Sequence, residues 1–74
     1  MSRLIPLKAS EIIRALYRLG FEKIRQKGSH VIFQHPDGRT TVIPVHPGED
    51  IGRGLVRKIL RDIELNWNDF EEIL

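Results

Sequence analysis

The dipeptide Gly28-Ser29 constrains this chain more than any other feature, because it stands between two runs that both alternate with a period of two residues. Residues 21–27 and 30–34 place apolar and polar side chains on alternate sides, and a two-residue link with glycine at the position needing positive φ closes a tight hairpin. Two antiparallel strands are therefore predicted, with Lys27 and His30 directly opposite each other and their Cβ atoms about 4.5–5.5 Å apart. Strand parity places Lys23, Arg25 and Lys27 on one face with His30 and Gln34. It assigns Ile24 to the other, apolar face with Val31 and Phe33.

The rest of the chain supplies what such a hairpin needs to bury one side. Ile12, Ile13, Leu16, Tyr17 and Leu19 recur at helical spacing, Ser10 and Glu11 suit the first turn, and Gly20 suits a left-handed cap. Pro36-Asp37-Gly38 is a strong turn signal, and the β-branched run Thr40-Thr41-Val42-Ile43 predicts a third strand ended by Pro44. Residues 46–50 read as a loop. Leu55, Val56, Ile59, Leu60 and Ile63 then give a second helix, with Gly52 and Gly54 loosening the turn before it. Asn66 is placed to cap a short helix over residues 67–74, with Asp69 three residues on and Trp67, Phe70, Ile73 and Leu74 turned inward.

The expected architecture is a small two-layer α+β domain in the order α-β-β-β-α with a short C-terminal helix. An antiparallel three-stranded sheet carries two helices on one face and leaves the other open. At 74 residues there is room for one domain, 1–74, and its ligand must sit on a surface.

Charge narrows the function classes. All 12 Lys and Arg lie within residues 1–61, which hold five acids and so carry a net +7, while residues 62–74 hold five acids and no base. A basic body suits a polyphosphate partner. No cysteine is present, which removes disulfides and thiolate metal sites and fits a reducing compartment. No apolar run approaches the roughly 20 residues of a membrane span, residues 1–6 are too short for a signal peptide, and a cytoplasmic location is expected.

The chemistry-bearing group is His30 beside Lys27. RNA brings its own nucleophile, the 2′-OH, so one base to deprotonate it and cations to hold the crowded phosphorane form a sufficient machine with no metal or other cofactor. Arg25 and Lys27 would stabilise phosphate charge, with Lys23 and Ser29 beside them and Gly28 shaping the turn. Arg53, Arg57 and Arg61 stand four apart with Lys58 adjoining, a basic helical stripe of which Arg57, Lys58 and Arg61 would position an RNA strand. His35 and His46 each precede a proline and read as loop or turn residues, and the three histidines lack metal-ligand spacing. A non-catalytic RNA-binding module is the alternative reading.

Three stretches carry a family resemblance: Leu16-Tyr17-Arg18-Leu19-Gly20-Phe21, Gln26-Lys27-Gly28-Ser29-His30-Val31-Ile32-Phe33 and His35-Pro36-Asp37-Gly38-Arg39. Val42-Ile43-Pro44-Val45-His46-Pro47-Gly48 and Gly54-Leu55-Val56-Arg57-Lys58-Ile59-Leu60 continue it. On these the chain resembles the HicA-type toxins, small messenger-RNA interferases of toxin–antitoxin pairs. The resemblance implies a fold like the double-stranded-RNA-binding domain, RNA cleavage carried by His30, mRNA as substrate, and a HicB-type antitoxin that blocks the same surface. The free protein is expected to be monomeric, with no membrane partner.

Overall fold

The structure is a computed structural model that describes residues 4–74. Of the N-terminal segment discussed above, residues 1–3 lie outside the described residues.

The chain runs β1 (Leu7–Lys8), α1 (Ala9–Arg18), β2 (Glu22–Lys27), β3 (His30–Gln34), β4 (Thr40–Pro44), β5 (Asp50–Ile51), α2 (Arg53–Ile63) and α3 (Trp67–Ile73). The predicted α-β-β-β-α-α order is present, joined by a two-residue antiparallel pair in which Leu7 opposes Ile51 and Lys8 opposes Asp50. Asp50 was expected in a loop. Two-residue strands leave no periodicity to read, and this pair joins segments more than 40 positions apart in the sequence.

Helix α1 buries Ala9, Ile12, Ala15 and Leu16. Glu11 supports its first turn by accepting the Lys8 N–H at 3.0 Å. Its end is a Schellman motif: Gly20 takes φ +95°, its N–H reaches the Tyr17 carbonyl at 3.1 Å, and the Phe21 N–H reaches that of Leu16 at 2.9 Å. Helix α2 buries Val56, Ile59, Leu60 and Ile63, as its spacing predicts. Asn66 caps α3 by accepting the Asp69 N–H at 2.8 Å, and Trp67 and Phe70 go inward. Leu74, expected to turn inward with them, is 37% exposed; it is the C-cap, where the helical periodicity that would bury it has ended.

The three-stranded sheet has the order β2-β3-β4, all antiparallel. Val31, Phe33, Thr41 and Ile43 are buried against the helices, so both long helices cover one face and the other is open. Buried Thr41 donates its hydroxyl to Asp62 Oδ2 at 3.0 Å, and Lys58 Nζ reaches the same oxygen at 3.2 Å. The molecule is a slab of 35 × 31 × 17 Å, thin along one axis as two layers require.

Arg39 closes one end of this slab. The His35 N–H donates to the Arg39 carbonyl at 2.8 Å, and the His35 ring packs edge-on against Phe21 at 5.2 Å between centroids. Arg39 itself lies over the Phe21 ring, grips both carboxylate oxygens of Asp37 through Nε, and donates from Nη1 to the Ile63 carbonyl at the end of α2.

Candidate functional site

The hairpin turn forms as its sequence requires. Gly28 takes φ +59° while Ser29 stays at negative φ, the pattern of a type II′ connection, and Lys27 pairs with His30. Ser29 is partly buried and its carbonyl accepts the Val45 N–H at 2.7 Å, which ties the turn to the chain leaving β4.

Pairing partners share a face, so the register gives the open surface as a grid. One row is Lys27, His30 and Pro44; the next is Arg25, Ile32 and Val42; the third is Glu22, Gln34 and Thr40. Lys27, Arg25 and His30 are thus neighbours on one uncovered surface. All three are exposed, and their side chains form no hydrogen bond or ion pair among the described residues.

Lys23 departs from the parity reading. The β2–β3 register shifts between Lys23 and Arg25, so Lys23 opposes Phe33 and lies on the helix side of the sheet, where its Nζ bonds Gln26 Oε1 at 3.1 Å. The shift is a bulge: one inserted residue inverts the parity of everything before it. Ile24 is that residue, and it is 51% exposed instead of joining Val31 and Phe33 in the core.

The helical stripe stands apart from the histidine. Arg53, Arg57, Lys58 and Arg61 are exposed on α2, whose apolar face presses on the covered side of the sheet. Lys58 is engaged by Asp62, which leaves Arg53, Arg57 and Arg61 as the cations of this stripe without a partner among the described residues. An RNA strand touching both His30 and this stripe would have to pass around the β4 edge.

The other histidines have separate surroundings. His35 accepts the Asp37 N–H at Nδ1 (3.1 Å) and packs on Phe21, so it is a turn residue held in place. His46 is exposed and lines a cleft with Pro44, Asp50 and Leu55. The acidic C-terminal residues do not cover His30. Helix α3 packs on α1, and Arg18 Nη1 donates to the Ile73 carbonyl at 2.6 Å.

Two side chains of the open face were overlooked in the sequence, Ile32 and Val42. Parity counted from His30 would have found them, two residues along β3 and one strand over.

A thin two-layer domain with an antiparallel three-stranded sheet, helices on one face and Lys27, Arg25 and His30 on the other, is a small α+β protein. The sequence model for the HicA toxin of bacterial toxin–antitoxin systems matches residues 9–65, and the chain belongs to that family. A search of curated proteins gave no match. Among the described residues, no helix is long and apolar enough to cross a membrane.

Proposed function

We propose that this protein is an endoribonuclease that cleaves messenger RNA in the cytoplasm without a metal ion, using His30, and that a HicB-type antitoxin restrains it. The observation that carries the reading is the Lys27–His30 pair on an uncovered face, with both side chains unengaged and Arg25 in the adjoining row.

In this mechanism the phosphate lies between Lys27 and Arg25, and His30 takes the proton from the 2′-OH of the nucleotide 5′ to it. The O2′–P bond forms and the P–O5′ bond breaks. The products are a 2′,3′-cyclic phosphate and a 5′-hydroxyl whose proton comes from solvent or Lys27. Arg57 and Arg61 hold the strand further along, with Lys58 and Ser29 as lesser contacts, while Lys23, on the other side of the sheet, takes no part.

One observation favours the alternative, a binding module without catalysis: no carboxylate orients the His30 ring among the described residues. Purified protein and its His30→Ala variant, each incubated with long single-stranded RNA in excess chelator, separate the two. Fragments ending in cyclic phosphate from the unaltered protein alone are expected. Fragments from both proteins would remove His30 from the chemistry, and salt-sensitive binding without fragments would establish the binding module.

A further inference from the structure

Beside the Lys27–His30–Pro44 row lies a row of different character. Ile32, partly buried, stands between Arg25 on β2 and Val42 on β4, and Val42 is 38% exposed. The two aliphatic side chains make a flat apolar seat between the Lys27–His30–Pro44 row and the polar row of Glu22, Gln34 and Thr40. Cations edge it on the β2 side, and among the described residues Arg25 spends its guanidinium on no protein group.

The seat's position fixes what it would take. Ile32 is two residues from His30 on the same strand, about 6.6 Å away, whereas Lys27 lies across the pair, about 5 Å from His30 at Cβ. A ribose held with its 2′-OH at the imidazole, and its 3′-phosphate directed at Lys27, sends its base along β3 onto Ile32. Within this row the apolar surface is two side chains wide, about the span of one base.

We propose that Ile32 and Val42 are positioning residues that seat the base of the nucleotide whose 2′-OH attacks, with Arg25 at the rim of the seat. This rests on the ribonuclease reading above. It specifies the substrate further: the RNA is single-stranded and unstacked at the cut, because a base stacked within a helix has no free face to lay on a flat surface.

The test uses Ile32→Thr and Val42→Thr, which keep β-branching and strand preference while making the seat polar. Each variant is first matched to the unaltered protein in melting temperature. KM for single-stranded RNA is expected to rise about fivefold to tenfold, as loss of one base-sized apolar contact implies, with kcat changing less. Mapped cut positions are expected to lose their preference for the nucleotide on the 5′ side.

Binding supplies a readout independent of cleavage. On His30→Ala protein, a series of oligonucleotides with one abasic position moved along the strand should show a single position costing about fivefold to tenfold, and Val42→Thr should abolish that difference. Unchanged KM and cut pattern in folded variants would overturn the proposal, as would an abasic series with no sensitive position. Loss of antitoxin binding without any change toward RNA would overturn it in favour of a protein-binding seat. If the unaltered protein gives no fragments, the ribonuclease reading fails by itself, and the abasic series still decides whether the seat holds a base.

Discussion

The guanidinium of Arg39 lies 5.2 Å from the centre of the Phe21 ring and spans from the β3–β4 turn to the last carbonyl of α2, at Ile63. One side chain therefore joins the turn, the start of the hairpin and the end of a helix, where a cation is also favoured by the helix dipole. Arg39→Ala should lower stability by about 2–3 kcal/mol, from a charged hydrogen bond and a cation–π contact together. For a domain of this size that is a fall of roughly 10–20 °C in Tm. Arg39→Lys should fall between the two, since it keeps the charge but not the fork. Thermal unfolding of the three proteins checks the order.

Two glycines should respond with opposite signs. Gly20 has φ +95°, and a Cβ there would stand 3.1 Å from His35 Nε2, so Gly20→Ala is strained twice and should cost about 1–3 kcal/mol. Gly54 lies in the first turn of α2 with open space where a Cβ would go, so Gly54→Ala should stabilise by about 0.5–1 kcal/mol. Denaturant midpoints at constant m-value measure both. A destabilising Gly54→Ala would show that this backbone is not helical in solution.

Helix α2 ends on Glu64 at φ 60°, the one residue other than glycine at positive φ among the described residues. The turn needs that angle, because Leu65 N–H reaches the Leu60 carbonyl at 3.1 Å through it. Glu64→Gly should therefore raise stability by about 0.5–1 kcal/mol, while Glu64→Val should lower it. Chemical denaturation of the pair distinguishes relief of backbone strain from mere loss of charge, which both substitutions share.

Acid should loosen the Asp37 turn late. Hydrogen bonds from the Arg39 side chain and backbone N–H hold the Asp37 carboxyl below its ordinary value of 3.8. A depressed carboxyl contributes stability that is fully present above the unfolded value and is lost as pH falls through the folded one. The unaltered protein should therefore exceed Asp37→Asn in stability at pH 6, and the gap should close only below about pH 3.8. Melting temperatures between pH 6 and 2.5 test this, and a gap constant with pH would show that the charge plays no part.

Much of this architecture was readable in the residues. The helical spacing of Ile12 and Leu16 and of Val56, Ile59 and Ile63, the glycine at 28 and the asparagine at 66 each act within a few positions of themselves, and each appears where its local chemistry puts it. What escaped depends on contacts distant in sequence. The bulge that turns Lys23 away from His30 is a feature of pairing with β3, and β2, with Ile24 its one apolar residue, has no periodicity that marks it. Leu7 and Ile51 meet across most of the chain. The Arg39 clasp joins residues 21, 37, 39 and 63, of which only the turn around Asp37 announces itself locally.

All six residues of β2 are exposed, so the strand that carries Arg25 and Lys27 contributes no buried side chain to the core. Its partner β3 alternates instead, holding the fold through Val31 and Phe33 while offering His30 and Ile32 outward. The open surface of the sheet and the interior that holds the domain together are thereby written in different letters of the sequence. Single substitutions at Arg25 or Lys27 therefore leave the core untouched and should cost little in folding. That makes this strand the natural place to redesign the charge of the open face without first having to rescue a collapsing domain.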